Sequence, residues 1–470
     1  MKQSKTNVIA VITMFFMFAM ISFVTNMAAP FGNIWKNQYE WSGMLGNMMN
    51  FLAYLIMGIP AGKLMQRIGY KRTALIALGV GFAGMVVQWL SSVAGANVET
   101  FSVGGQPVML NFIIYLLGAF VCGFCVCMLN TVVNPMLNTL GGGGNRGNQL
   151  IQTGGTLNSL TGTLTPLLVG ALIGTVTDRT AMSDVAPLLF IAMGVFALAF
   201  VIICIVKIPE PGRVESGERR TESGERRVEN GERDSQLSTL HSPLSTKKLS
   251  TLHSPLSTKK YSAWSFRHLV LGVVAIFFYV GIEVGIPAEL NFYLTDDPLC
   301  GAAIGGAVAA IYWLLMMVGR AASAAISGKV STRTQLSTVA LVAIVLIVAA
   351  IIVPASVRIS MPGYSVADGF QMFQVPVSAL LLVLCGLCTS LMWGGIFNLS
   401  VEGLGKYTEQ ASGIFMMMVV GGGVMPLLQN ALAKWVGYMG SYWLVAAMLA
   451  YILFYALVGS KNVNRDIPVE

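Results

Sequence analysis

The sequence predicts an all-α membrane protein of twelve transmembrane helices, arranged as two six-helix, pseudo-symmetric halves. Three observations predict it. Of 470 residues, 55% are apolar and only 11% charged, with mean hydropathy +0.70, which is not the composition of a water-soluble globule. A helix crossing about 30 Å of hydrocarbon needs roughly 20 mostly apolar residues, and twelve stretches satisfy that length. The pattern Gly-Lys-x-x-x-Arg also ends an apolar run twice, at Gly62, Lys63, Arg67 and 266 residues later at Gly328, Lys329, Arg333. Asn134 and Asn398, each seven residues before a glycine, repeat at an offset of 264. One unit duplicated within the chain explains both echoes.

In order, the first half spans 7–29, 43–62, 73–95, 109–137, 149–174 and 185–207, within an amino-terminal bundle of residues 1–207. The second half spans 266–294, 301–328, 335–357, 377–400, 409–433 and 440–460, within a carboxy-terminal bundle of residues 265–470. Span 1 has full spanning length and no cleavage pattern, so it is expected to be retained. Short cytoplasmic loops keep Lys and Arg. Outside residues 208–264, fifteen basic residues fall on one side and four on the other, which places both termini in the cytoplasm. Topology thus accounts for the net charge of +8, and no nucleic-acid partner is implied.

Residues 208–264 interrupt the pattern. Glu-Ser-Gly-Glu-Arg-Arg occurs at 215–220 and 222–227, and a twelve-residue Ser/Thr/Leu-rich unit repeats unchanged at 237–248 and 249–260. Without a core, this segment reads as a flexible cytoplasmic linker. Six of seven cysteines fall within predicted spans, leaving Cys300 near the outer surface, so neither a disulfide framework nor a metal site is expected.

The loop after span 2 reads Gly62-Lys63-Leu64-Met65-Gln66-Arg67-Ile68-Gly69-Tyr70-Lys71-Arg72. It resembles the signature loop of the major facilitator superfamily, with Gln66 where the superfamily usually has Asp. The resemblance implies that Gly62, Arg67, Gly69, Lys71 and Arg72, with Arg333 and Arg320 in the second half, hold and gate the cytoplasmic face. Three further stretches are similar to the fucose, galactose and glucose proton symporters typified by the fucose permease. They are Asn130-Thr131-Val132-Val133-Asn134-Pro135, Phe277-Phe278-Tyr279-Val280-Gly281-Ile282-Glu283-Val284, and residues 403–413 from Gly403 to Gly413. This resemblance implies a monosaccharide transporter working by alternating access.

The departures carry as much information. The family opens its span 4 motif with a carboxylate and places an Asp four residues before a proline in span 1. Here those positions hold Asn130 and Asn26, and neither titrates. Asn158 matches a family asparagine in span 5, while the usual glutamine falls on Gly155, with Gln152 one turn away. In the whole first half the only acids are Glu40, Glu99, Asp178 and Asp184, all in predicted outer loops. The one deep carboxylate is Glu283, about 17 Å from the outer end of span 7 and about 26 Å from the inner end. A carboxylate at that depth costs on the order of 2.5 kcal/mol or more, so it is expected to face a cavity and to carry the coupling proton or sodium.

Arg320 counts to about 12 Å from the inner end of span 8, so it is expected to snorkel toward the cytoplasm rather than meet Glu283. Glu289 is expected at the outer interface. The substrate-binding set is Asn26, Asn130, Asn134, Gln152, Asn158, Tyr279, Glu283, Trp393, Asn398 and Gln429: amides for hydroxyls, flat rings for a sugar face. No catalytic constellation or cofactor motif is present in the sequence, so an enzyme is not expected. A secondary transporter of a small polar solute is the reading, acting as a monomer in the lipid bilayer of the inner membrane. Uncoupled sugar diffusion and a non-transporting receptor or assembly factor are the alternatives.

Overall fold

The computed structural model describes residues 2–27, 31, 32, 34, 35, 38, 39, 42, 45–173, 182–210, 261–365, 369–464 and 466–469. Met1–Pro209 and Ala263–Glu470 make one compact unit. The expected linker falls almost entirely on 211–260, outside the described residues.

The first half contains α1 (Lys2–Asn26), α2 (Leu45–Ile68), α3 (Tyr70–Val93), α4 (Leu110–Leu140), α5 (Gly144–Ile173) and α6 (Ala186–Ile205). The second contains α7 (Arg267–Thr295), α8 (Gly301–Ile326), α9 (Thr332–Ile352), α10 (Val377–Thr389), α11 (Met392–Val401), α12 (Thr408–Met417) and α13 (Gly421–Phe454). Span 10 is therefore two helices, α10 and α11, broken at Ser390 and Leu391. Span 11 runs through α12 and a 3-10 turn, Met418–Val420, into α13, which turns back at Gly437 (φ 77°) to become span 12.

Ten stretches among the described residues are apolar and long enough to cross a bilayer. The 55-residue run Gly405–Gly459 holds two spans in one count. Helix α5 is the most polar of the long helices, carrying Asn148, Gln149, Gln152, Asn158 and a ladder of threonines. Those threonines are accommodated: Thr153, Thr156, Thr161, Thr163 and Thr165 each donate to the carbonyl four residues back, at 2.7–3.0 Å.

Burial follows the duplication. The best-covered apolar windows are those of α1 (56%), α4 (61%), α7 (61%) and the Val377–Val401 pair (72%), so spans 1, 4, 7 and 10 form the inner ring. Helix α6 leaves Phe190, Leu198, Val201 and Ile205 more than half exposed. In water each would forgo roughly 1.5–3 kcal/mol of burial, so this face belongs in lipid. The protein is an integral, multi-pass membrane protein.

The two halves repeat in register, but not at the Gly-Lys-x-x-x-Arg echo. Gly62 lies inside α2, whereas Gly328 lies in the turn after α8. The structural match is Lys71 and Arg333, each the second residue of its helix and 262 residues apart. Lys71 Nζ donates to the carbonyls of Cys204 and Val206 at the end of α6, both at 2.8 Å. Arg333 Nε donates to Ser460 Oγ beyond α13, at 3.1 Å. Each cation thus ties the start of the third span to the end of the sixth, where exposed carbonyls favour positive charge.

Two β-hairpins, which the hydropathy pattern does not announce, occupy the same place in each half. Strands β1 (Glu99–Val103) and β2 (Gln106–Met109) join α3 to α4, turning on Gly104 and Gly105, both at positive φ as a two-residue hairpin of this hand requires. Strands β3 (Arg358–Ser365) and β4 (Gly369–Pro376) join α9 to α10. Asp297, after α7, holds the second hairpin: it accepts both Arg358 Nη2 contacts, at 2.6 and 2.8 Å, and Leu299 N at 2.9 Å. Partial burial lifts the Asp297 carboxyl, but the Arg358 and Leu299 hydrogen bonds outweigh it and hold the group below the usual carboxylate range.

At the end that carries the termini, α2 and α12 meet through bare backbone. A Cβ on Gly413 would stand 2.6 Å from Gly58 O and 2.8 Å from Gly62 Cα. Small residues at this spacing let two helices approach within side-chain distance.

Two outcomes follow for stability. Gly413→Val, which over-fills that seam, is expected to lower the unfolding temperature in detergent, whereas Gly79→Val, whose Cβ meets nothing within 4 Å, leaves it unchanged. For the second hairpin, a carboxylate with a lowered folded pKa contributes its full stability above its unfolded value, about pH 4, and loses it as pH falls through the folded value. Protection of residues 358–376 against hydrogen exchange should therefore hold down to about pH 4 and fall below it, and Asp297→Ala should lower that protection above about pH 4, with the difference vanishing once Asp297 is protonated.

Candidate functional site

One turn separates Tyr279 from Glu283 on α7, so both side chains leave the same face of the helix. Facing them is Arg320 of α8. Its Nη2 lies 3.0 Å from Glu283 Oε1, an ion pair in the middle of the bundle. The same guanidinium donates from Nη1 to Ser159 Oγ (2.6 Å) and Gly155 O (3.2 Å) on α5, and from Nε to Ser390 O (3.2 Å) at the break in span 10. One cation therefore joins four spans and both halves.

This pairing corrects the expectation that Arg320 snorkels away from Glu283. Counting residues from the inner ends separates the two Cα atoms by about 15 Å, but counting from the outer ends, Thr295 and Gly301, separates them by about 10 Å, because the helices are not flush. Side chains lean toward the amino-terminal end of their own helix. The two helices run in opposite directions, so a long Arg side chain on α8 and a Glu on α7 lean toward each other and close the gap.

The break in span 10 supplies acceptors. Besides Ser390 O, Leu391 O accepts Gln152 Nε2 from α5 at 2.8 Å. Leu391 O also accepts Gly395 N at 3.0 Å, so of the two it is Ser390 O that depends on a side-chain donor in a setting without water. Just beyond the break, Trp393 lies edge to face with Tyr279, centroids 6.2 Å apart, and with Phe415 at the same distance. Its Nε1 donates to Asn134 Oδ1 at 3.2 Å. Asn134 Nδ2 donates to Asn130 O (2.9 Å), and Asn130 Nδ2 to the Tyr54 hydroxyl (2.7 Å). A continuous line of polar and aromatic groups thus crosses the bundle from Tyr54 through Asn130, Asn134, Trp393, Tyr279 and Glu283 to Arg320. The side chains of Arg320 and Glu283 keep 10% and 14% of their exposure, so the pair is largely but not wholly buried.

Other residues of the expected set stand at its edges. Asn158 Nδ2 donates to Phe18 O at 3.0 Å and ties α5 to α1, whereas Asn26 Nδ2 donates to Ser22 O at 2.8 Å within α1 and packs against Gly162 of α5. Asn398 is not brought to the line: its Nδ2 donates to Gly144 O (2.8 Å) and Thr332 Oγ1 (3.2 Å) near the terminal end. Gln429 is also apart, fully buried against Gly285 with Ser441 Oγ at 3.5 Å. Arg67 and Arg72 sit exposed at the turn between α2 and α3, where Gly69 takes φ 87°. Ser159, Ser390 and Tyr54 were missed by sequence reasoning. Only the neighbour of Ser159, Asn158, gave any signal there, and the break that exposes Ser390 O has no marker beyond Gly394 and Gly395.

Contacts between the halves concentrate on the side of the termini. Asn148 Nδ2 donates to Ser327 Oγ (3.0 Å), Gln152 to Leu391 O, Asn398 to Gly144 O, and Ser412 Oγ to Thr131 O (3.1 Å). With the Gly58, Gly62 and Gly413 seam, these close the bundle below Glu283.

Comparison with known proteins agrees with this architecture. The sequence pattern of the Major Facilitator Superfamily matches residues 8–422. A glucose/galactose transporter of Brucella abortus biovar 1 (strain 9-941) is 30% identical over 454 residues, covering 96% of this chain and 93% of its own. Among solved structures, the E. coli fucose:proton symporter superposes with a TM-score of 0.72 at 16% identity, over 97% of this chain and 100% of that one. The proton:xylose symporter does so with 0.63 at 12%, over 97% of each. A fold shared along its length, two halves closing on one mid-membrane polar line, and a sequence pattern matched across most of the residues together place the chain in the major facilitator superfamily.

Proposed function

We propose that this protein is a secondary transporter of a monosaccharide of the glucose and galactose kind, working by alternating access, with a proton or sodium ion carried through Glu283. The observation that carries the reading is the ion pair of Glu283 and Arg320 set at the junction of the halves, beside Trp393 and Tyr279. Aromatic faces suit the C–H faces of a sugar ring, while the guanidinium, carboxylate and amides suit its hydroxyls. The names of the relatives favour the same substrate class. The basic bias of the loops supports cytoplasmic termini, an amino-terminal half of residues 1–207 and a carboxy-terminal half of 265–470 linked by 208–264. A monomer in the inner membrane fits this arrangement, which would then be open to the outside.

The geometry suggests how coupling works. Arg320 holds α5 of one half and α7, α8 and α10 of the other only while Glu283 is ionised. A proton on Glu283 removes the counter-charge and leaves a guanidinium in low dielectric, a situation that costs roughly 3–5 kcal/mol when uncompensated. Sugar hydroxyls offered to the released N–H groups offset that cost. Proton and sugar therefore bind better together than apart, and the contact from Arg320 to Ser159 and Gly155 is free to break as the halves rock. The rival reading, uncoupled diffusion, is favoured by Asn26 and Asn130, amides where the family resemblance expects carboxylates.

Uptake into proteoliposomes decides between them, using radiolabelled glucose, galactose, fucose and xylose with and without a pH or sodium gradient. The expected result is accumulation above equilibrium under a gradient. Glu283→Gln should abolish accumulation yet retain counterflow exchange of labelled sugar. Accumulation that survives Glu283→Gln unchanged removes Glu283 from coupling; gradient-independent equilibration by the unaltered protein favours the uncoupled reading; no flux of any sugar overturns the transporter reading.

A further inference from the structure

A second carboxylate lies six residues beyond Glu283 on α7, about 9 Å farther toward the hairpin side. The hydropathy pattern places Glu289 at an interface, but the structure buries it to 2% exposure. Its Oε2 accepts Asn430 Nδ2 at 3.3 Å, and its Oε1 has no hydrogen-bond partner. A buried carboxylate oxygen left without a donor is costly, so such an atom points to a ligand that supplies one. Glu289 also lines a cleft between the two halves, walled by Asn47 and Phe51 of α2, Phe292 of α7 and Asn430 of α13. The floor is bare backbone at Gly422 and Gly423. Pro426 has no N–H, so the Gly422 carbonyl lacks its usual helical donor.

We propose that this cleft is an outer subsite for a monosaccharide, in which Glu289 accepts hydrogen bonds from sugar hydroxyls, Asn430 and Asn47 orient them, and Phe51 and Phe292 cover the ring. The proposal rests on the reading of the protein as a sugar transporter and adds a second station to it. Three polar groups set among aromatic and glycine surfaces are the chemistry of sugar binding. A metal cation would require oxygens converging on one point, and a lipid tail would leave Glu289 Oε1 as it is. The position also fits a route: the cleft opens on the side where the halves are not tied together, and a sugar leaving it along α7 next reaches Glu283 and Trp393.

The test is protection from a membrane-impermeant maleimide in proteoliposomes, with the reagent directed at Ala288→Cys, a lining position, in a Cys300→Ser background. Glucose and galactose are expected to slow labelling in a saturable way, and Trp393→Ala should leave that protection in place. Glu289→Ala should raise the half-protecting sugar concentration roughly tenfold, the effect of losing a hydrogen bond to a charged group. In unlabelled protein, Glu289→Ala should raise the apparent KM for uptake while keeping the maximal rate. Labelling untouched by sugar in protein that transports it overturns the subsite and leaves the transporter reading standing. Protection lost with Trp393→Ala but kept with Glu289→Ala assigns it to movement at the central site and also overturns the subsite. Equal protection by a long-chain alcohol assigns the cleft to lipid and does the same.

Discussion

A guanidinium in the middle of a membrane protein must find partners for its charge and its N–H groups, and much of this structure is arranged around that requirement. Arg320 has an ion-pair partner on α7 and oxygen acceptors on α5 and at the break in span 10. Each constrains something else. Ser390 O is available because span 10 is two helices rather than one. Gly155 O is reached along an uncrowded face of α5, where even a Cβ would stand 3.4 Å from Arg320 Cδ, an ordinary contact. Glu283 can stay at depth because its charge is matched. Removing any one of these leaves a charge or a dipole unsatisfied in low dielectric, so they hold together as a set.

The fold was legible because a bilayer leaves few solutions. Backbone groups must be satisfied within each segment, so apolar length translates almost directly into helices, and the spans from 7–29 to 440–460 correspond to what is observed among the described residues. What the sequence concealed depends on direction and register. The pairing of Arg320 with Glu283 was lost because residue counting measures Cα depth, whereas side-chain lean and uneven helix ends decide contact. The Gly-Lys-x-x-x-Arg echo misled by four residues, since the repeat is kept by what Lys71 and Arg333 grip and not by the letters around them. The hairpins were invisible to a hydropathy reading because they lie outside the membrane, where apolar length carries no information. Of the amides, Asn130 and Asn134 join the central line, while Asn398 and Gln429 are used for packing. Composition cannot separate those uses, because an amide that binds a solute and one that binds a neighbouring helix are the same group.

The halves match in backbone and differ in chemistry. The lysine or arginine near the start of each third span ties down the end of the sixth, and each half carries a hairpin between its third and fourth spans. At the centre, however, the first half offers Asn26, Asn130, Asn134 and Asn158, all neutral, while the second holds Glu283 and Arg320. A duplicated scaffold gives the rocking movement its symmetry; the titratable group sits on one side only. On the proposed coupling, a response to protonation of Glu283 starts in the second half, and Arg320, bonded both to Glu283 and to Ser159 and Gly155, is its most direct link to the first.

This asymmetry bears on why the deep carboxylate is paired at all. A free carboxyl in such a site would exchange a proton without consequence for the neighbouring helices, and nothing would oblige sugar and proton to travel together. Pairing with a cation that also bonds α5 makes the charge state of Glu283 a condition on the junction between the halves. Differential interaction of this kind is what allows a bound species to shift a conformational equilibrium. A bond of about 3 Å from Arg320 to Ser159 or Gly155 cannot survive a rocking movement that separates α5 from α8 by even a few ångströms, so the contact must be released in one of the two states. On the coupling proposed above, the ion pair supports the state described here and is the obstacle that proton and solute together remove before the other state forms.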